Sequence, residues 1–191
     1  MLRAIFFDMD GTITRPHIDW PTLRQRVGVP EGMPIMEYIE TLSSPERQQA
    51  EGIVEEVEFQ AAEAAALNPG ATELIHDLRV HPLKLALITN NHRRAMYHIV
   101  EKFHLEFDLL LSREDAQLKP APDLLQLALD RFQLTPEQTC FVGDGRYDRM
   151  ASAAAGIPYI HLANDGQPAD GAPTLFALEE LWLHIGFEKP A

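Results

Sequence analysis

An α/β fold built on a parallel sheet is predicted by three features of this 191-residue chain. Apolar runs of strand length alternate with stretches whose apolar residues recur at three- and four-residue spacing. The runs are continuously hydrophobic, as strands buried on both faces of a parallel sheet are. Several of them end abruptly in polar residues. Strands alternating with helices imply right-handed crossovers, and hence a Rossmann-like parallel sheet with helices on both faces. Ligands of such sheets collect at the carboxyl ends of the strands, which gives the polar run ends a meaning.

The elements follow in order. Leu2 to Phe7 reads as the first strand and runs into Asp8-Met9-Asp10-Gly11-Thr12. Ile13 to Pro69 is the least regular part: a proline- and methionine-bearing segment, Trp20 to Met36, then helical stretches over Met36 to Leu42 and Pro45 to Leu67, and a return through Asn68-Pro69-Gly70. Ala71 to Leu78 has helical spacing, and Leu83 to Ile88 is a second strand ending in Thr89-Asn90. A helix over Arg93 to Phe103 leads to a third strand, Phe107 to Leu111, followed after a loop by Leu118-Lys119-Pro120. A helix over Pro122 to Phe132 precedes the strand Thr139 to Val142, which ends in Gly143-Asp144-Gly145. The helix Tyr147 to Ala155, with small alanines that let it lie close to the sheet, leads to a short fifth strand, Pro158 to His161. Beyond Ala163 the chain turns polar and glycine-rich, and a last helix is expected from Thr174 to His184. Asp8, Thr89, Lys119 and Asp144 each follow a strand, so they are expected to meet along one edge.

The chemistry open to such a cluster can be read residue by residue. A carboxylate such as Asp8 can attack phosphorus and split one hard displacement into two easier ones. Asp10 stands two residues on, and crowding with burial would help it keep a proton at neutral pH. Gly11 lets the chain leave the strand sharply, and Thr12 can tie down the loop. Thr89 and Asn90 stand where a helix begins, a place that favours anions; capping of that helix is the plainer role, and both can hold at once. Lys119, between Leu118 and nearby prolines, can neutralise Asp8 and phosphoryl oxygens together. Asp144 and Asp148 are four residues apart at a helix start and share one face. With Asp8 they form an oxygen-rich set suited to a hard cation, for which Mg²⁺ fits best. Asp148 could instead serve its helix dipole.

Taken together, Asp8-Met9-Asp10-Gly11-Thr12, Thr89-Asn90, Lys119-Pro120 and Gly143-Asp144-Gly145-Arg146-Tyr147-Asp148 resemble the four ordered motifs of the haloacid dehalogenase superfamily, most of whose members are phosphatases. The resemblance covers residues 1 to about 162. It implies Asp8 as nucleophile and Asp10 as general acid and then base. It implies a phosphate seat at Thr89, Asn90 and Lys119. It also implies a Mg²⁺ site from Asp8, the Asp10 carbonyl and Asp144, with Asp148 binding directly, through water, or pairing with the lysine. Residues 1–14 and 69–191 would form the Rossmann-like catalytic core, and 15–68 a small α-helical cap of the C1 type inserted after the first strand, as in phosphoglycolate phosphatase-like members. Arg15 and His17, just past the nucleophile loop, are candidate substrate contacts.

A charge count supports a metal. With Asp10 protonated, Asp8, Asp144 and Asp148 are balanced only by Lys119 plus a divalent cation. Like charges a few ångström apart otherwise repel by several kcal/mol at an effective dielectric of about 20. The second acid favours phosphoester hydrolysis, because a dehalogenase needs no proton for an alkoxide. The expectation is thus a phosphatase of a small phosphorylated metabolite. A phosphomutase of the β-phosphoglucomutase type shares all four motifs, and a phosphate-ester sensing module without catalysis is the alternative of another class.

Composition narrows the field further. A net charge of −13 argues against nucleic-acid binding. Part of that charge is concentrated in Glu46 to Glu63, which reads as a solvated helix face. The first apolar run is too short for a signal peptide or membrane span, so a cytoplasmic enzyme is expected. A lone cysteine, Cys140, reads as a core residue and excludes an internal disulfide. No HxxxH or HExxH spacing points to zinc.

Overall fold

The computed structural model describes residues 1–15 and 18–190. Six strands form one parallel sheet: β1 Ala4–Phe7, β2 Lys84–Ile88, β3 Leu109–Leu111, β4 Thr139–Gly143, β5 Tyr159–Leu162 and β6 Thr174–Leu175, in the order β3-β2-β1-β4-β5-β6. The chain builds outward from β1 in one direction and then returns to place β4 on its other side. The crevice at such a reversal lies between the loops after β1 and β4, where open α/β sheets bind ligands. Register makes those loops flush, since Phe7 stands opposite both Leu87 and Val142.

Among the described residues the α-helices are α1 Trp20–Val27, α2 Ile35–Glu40, α3 Ser44–Ala64, α4 Ala71–Leu78, α5 Arg93–Lys102, α6 Asp123–Phe132, α7 Arg146–Ala155 and α8 Trp182–Ile185. Alternation along each strand divides the sheet into two cores. Ile5, Phe7, Leu85, Leu87, Cys140 and Val142 face α4, α5 and the C-terminal turns. Ala4, Phe6, Ala86, Ile88 and Phe141 face α6 and α7. Burial pushes the Cys140 thiol up to about 12, as suits an inert core residue. A third, smaller cluster, Leu23, Ile39, Ala50 and Val54, holds α1, α2 and α3 together. Among the described residues, no helix is long and apolar enough to cross a membrane.

Two stretches differ from the expectation. Trp20 to Val27 is a helix, because Pro21 falls in its first turn, where the missing N–H is an orphan anyway, and Asp19 caps it by accepting from the Thr22 amide. The expected helix from Thr174 to His184 is instead a two-residue strand, a 3-10 turn over Leu178–Leu181 and the short α8. Pairing of His161 and Leu162 with Thr174 and Leu175 captures the segment as a sheet edge.

Candidate active site

Strand β1 delivers Asp8 to the carboxyl edge, and the Asp8 amide extends the ladder by donating to the Val142 carbonyl at 2.9 Å. The next turn folds back on Met9, whose carbonyl accepts from the amides of Thr12, Ile13 and Thr14. That turn needs a positive φ at Gly11, 84°, and a close approach: a Cβ there would lie 1.9 Å from Asp144 Oδ2. Gly143 is confined in the same way, since its Cβ would stand 2.7 Å from that of Asp148.

Lys119 reaches into this corner from the loop after β3 and is buried. Its Nζ donates to Asp8 Oδ1 at 2.5 Å, Asp148 Oδ1 at 2.7 Å and the Ile88 carbonyl at 3.1 Å. All three ammonium hydrogens are therefore used. Burial alone would lower the Lys119 pKa, but Asp148 and Asp8 outweigh it and hold the ammonium charged. The other oxygen of Asp148 accepts from the Gly145 amide at 3.0 Å, so Asp148 also caps its own helix. Asn90 clasps the lysine's backbone, donating to the Lys119 carbonyl at 2.8 Å and accepting from its amide at 2.9 Å. Thr89 is buried, with its hydroxyl accepting from the Asn91 amide at 3.1 Å.

Asp8, Asp144 and Asp148 each place a carboxylate oxygen within 4.8 Å of the others. One lysine faces three acids. Burial first, and then Asp148, push Asp8 well above the carboxylate range. The same causes raise Asp144 to about 6. Asp10 is also raised by burial, against hydrogen bonds from Thr14 and Asn91 that work downward.

The sequence-predicted residues Asp8, Asp10, Thr89, Asn90, Lys119, Asp144 and Asp148 thus gather at one edge of the sheet. Arg15 does not join them through any side-chain ion pair among the described residues; it is exposed, with its amide on the Ala66 carbonyl. His17 lies outside the described residues.

Three asparagines complete the site. Asn91 Nδ2 donates to Asp10 Oδ2 at 2.5 Å, and Thr14 Oγ1 to Asp10 Oδ1 at 3.3 Å. Asn164, just past β5, donates to the Gly11 carbonyl at 2.6 Å and to Asp144 Oδ2 at 3.0 Å. Asn68, at the return from the α1–α3 segment, donates to the carbonyls of Gly11 and Thr12. Asn68 and Asn164 both stand in turn-rich sequence, where an asparagine carries no signal of its own. Their partners lie 57 and 153 positions away.

A model of the haloacid dehalogenase-like hydrolase family matches residues 2–156. A haloacid dehalogenase-like hydrolase domain-containing protein of Arabidopsis thaliana is 32% identical over 161 residues, 78% of this chain and 66% of that protein. The phosphorylated carbohydrates phosphatase of Thermotoga maritima is 29% identical over 211 residues, covering 94% of this chain and 96% of the relative. Among solved structures, a Lactobacillus plantarum protein provisionally described as a phosphoglycolate phosphatase superposes with a TM-score of 0.76 at 22% identity, covering 96% of this chain and 99% of that one. This chain therefore spans nearly all of the Thermotoga relative and just under two thirds of the plant one.

Proposed function

Because the chain belongs to the haloacid dehalogenase-like hydrolases, we propose that it is a Mg²⁺-dependent phosphatase hydrolysing a small phosphomonoester through an aspartyl-phosphate on Asp8. One observation carries the reading: a buried lysine holds Asp8 at 2.5 Å in a corner that also contains Asp144 and Asp148, leaving the acids in excess of the cations. A corner built only for stability would not leave Asp8 and Asp144 pushed upward by burial and mutual repulsion. The name of the Thermotoga relative points the same way and suggests a phosphorylated sugar or similar metabolite.

The roles follow from position. An Asp8 oxygen attacks phosphorus as the bond to the leaving oxygen breaks, and Asp10 supplies the proton that oxygen takes. Water then attacks the acyl phosphate, Asp10 takes its proton, and phosphate departs with Asp8 restored. Lys119 balances charge on Asp8 and the phosphoryl oxygens. Thr89 and Asn90 border the phosphoryl seat, Thr89 at the start of the α5 turn and Asn90 by fixing the lysine. The donor set is all oxygen, as Mg²⁺ requires, and the excess of acids needs a divalent cation. Asp8, the Asp10 carbonyl and Asp144 would hold the ion, with Asp148 shared between it and Lys119. When bound, the ion neutralises phosphoryl charge. Residues 15–68 serve as the cap over the 1–14 and 69–191 core, with their own apolar cluster as support for that division.

The test is release of inorganic phosphate from p-nitrophenyl phosphate and a panel of phosphorylated metabolites, with and without Mg²⁺. Release that needs Mg²⁺ and is lost in Asp8→Asn supports the reading. Binding of phosphate esters without release, with or without the metal, would sink it.

A further inference from the structure

We propose that Glu58, on α3 and outside the motif loops, is a positioning residue that orients the proton-donating carboxyl of Asp10 through Asn91. The inference rests on the phosphatase reading of Asp10. Glu58 is 3% exposed, and a carboxylate is seldom buried in that way unless it is paired. It has two partners from two different loops. Oε1 accepts from Arg113 Nη1 at 2.6 Å, after β3, and Oε2 accepts from the His92 amide at 2.9 Å, at the cap of α5.

Both partners border Asn91. His92 is the next residue, and the Arg113 amide donates to the Asn91 carbonyl at 3.2 Å. The Asn91 amide is fixed in turn by Thr89 Oγ1 at 3.1 Å. With its backbone held on both sides, Asn91 has only its side chain left to aim, and that side chain meets Asp10 at 2.5 Å. Glu58 thus grips the two neighbours that set where Asn91 sits. The surrounding charges are an outer ring: His92 Nε2 lies 3.0 Å from Glu114 and 3.6 Å from Glu55, and Arg94 lies 3.9 Å from Glu55 and 3.6 Å over the Phe59 ring.

Stability alone is a poor reason for the arrangement. A buried ion pair seldom outperforms well-packed apolar side chains of the same volume, and α3 already packs against α5. What a carboxylate adds at this point is direction, two loops tied to one side chain. The consequence is that a residue of the helical segment sets the geometry of the acid in the core.

The experiment is single-turnover release of the leaving group with enzyme in excess, comparing an alkyl phosphate, whose alkoxide needs a proton, with p-nitrophenyl phosphate, whose phenolate does not. Glu58→Gln is expected to slow alcohol release roughly tenfold and nitrophenolate release by less than about twofold, because a small misplacement of the acid affects only the step that needs it. The Glu58→Gln/Asn91→Ala double variant is expected to be no slower on the alkyl ester than Asn91→Ala alone. Equal slowing of both substrates, additive losses, or no slowing would overturn the proposal. If Glu58→Gln does not fold, Arg113→Lys carries the same readouts. A wild type that releases neither leaving group would instead overturn the phosphatase reading, and this inference with it.

Discussion

At the carboxyl end of the sheet, Asp8 and Asp148 share Lys119, whose side chain is 2% exposed; at the amino end, Asp108 is shared by Arg79 and Lys84, whose side chains are 36% and 58% exposed. The residue types are the same and the consequences are opposite. Partial burial works to raise Asp108, but hydrogen bonds from the Leu85 amide, Lys84 and Arg79 outweigh it and hold the carboxyl low. At the other end, burial dominates and Asp8 and Asp144 are driven up. Water screens one cluster and is excluded from the other. An acid content to be charged needs no further partner, whereas acids held against their preference mark the end of the sheet where a divalent cation would complete the balance.

The sharpest way to separate the two ends is Asp8→Asn. Phosphate release should fall by on the order of 10⁴-fold or more, as for loss of a nucleophile. The melting temperature should hold or rise, because one of three crowded acids has lost its charge. A variant that loses both activity and fold would erase the contrast. Lys119→Met should do the reverse to stability, leaving buried acids uncompensated at a cost of about 3 kcal/mol or more in denaturant melts. Adding Mg²⁺ to the wild type should raise its stability by about 2.7 kcal/mol at a hundredfold excess over Kd, and Asp144→Asn should blunt that gain. Unchanged melts on titration with Mg²⁺ would count against a metal at the carboxyl end.

A smaller effect involves Glu58, raised by burial to about 7 against the opposing pull of Arg113. The native state then holds a proton there that the unfolded chain has released above an ordinary value of 4.5. Its contribution is fully present below that value and is lost as pH rises toward about 7. Arg113 and the His92 amide face the carboxylate directly, the negative charge of Asp10 raises it further, and Glu55 and Glu114 form the outer ring. Glu58→Gln should flatten this part of the stability-against-pH curve by on the order of 3 kcal/mol, read from urea melts across that interval.

What was legible in the sequence was local. Paired acids after an apolar run, a lysine among prolines, and acids four apart at a helix start each announce themselves within a few residues, and the five main strands follow from continuous hydrophobicity. Glu58 and Arg113 did not announce themselves, since each is a charged residue in a charged neighbourhood and their meaning comes from a contact 55 positions apart. Asn91 carried no local sign of its role, because its distinguishing partner, Asp10, is 81 positions away. Strand β6 escaped because two residues carry no period; only pairing with β5 makes them a strand. Helix α1 lay unmarked within the proline- and methionine-bearing segment Trp20 to Met36, although the place of Pro21 in its first turn suits a helix.

The least of the expected effects completes the comparison. Asp108→Asn keeps an acceptor for the Leu85 amide and removes only the charge shared by Arg79 and Lys84. Exposed pairs of this kind contribute about 0.2–1 kcal/mol, so the loss of stability should be of that size and should shrink in about 1 M salt, where the screening length is about 3 Å. The pH sign is opposite to that of Glu58: a carboxyl held low contributes above its ordinary value of 3.8 and loses that contribution as pH falls through its folded pKa. The variant should therefore flatten the acid side of the curve and leave the side above it untouched. Phosphate release should not change, because the partners of Asp108 are Arg79, Lys84 and the Leu85 amide, at the opposite end of the strands from the motif loops. A several-fold loss of activity in Asp108→Asn would mean that strain passes along β2 from one end to the other, and the two clusters could no longer be treated as independent.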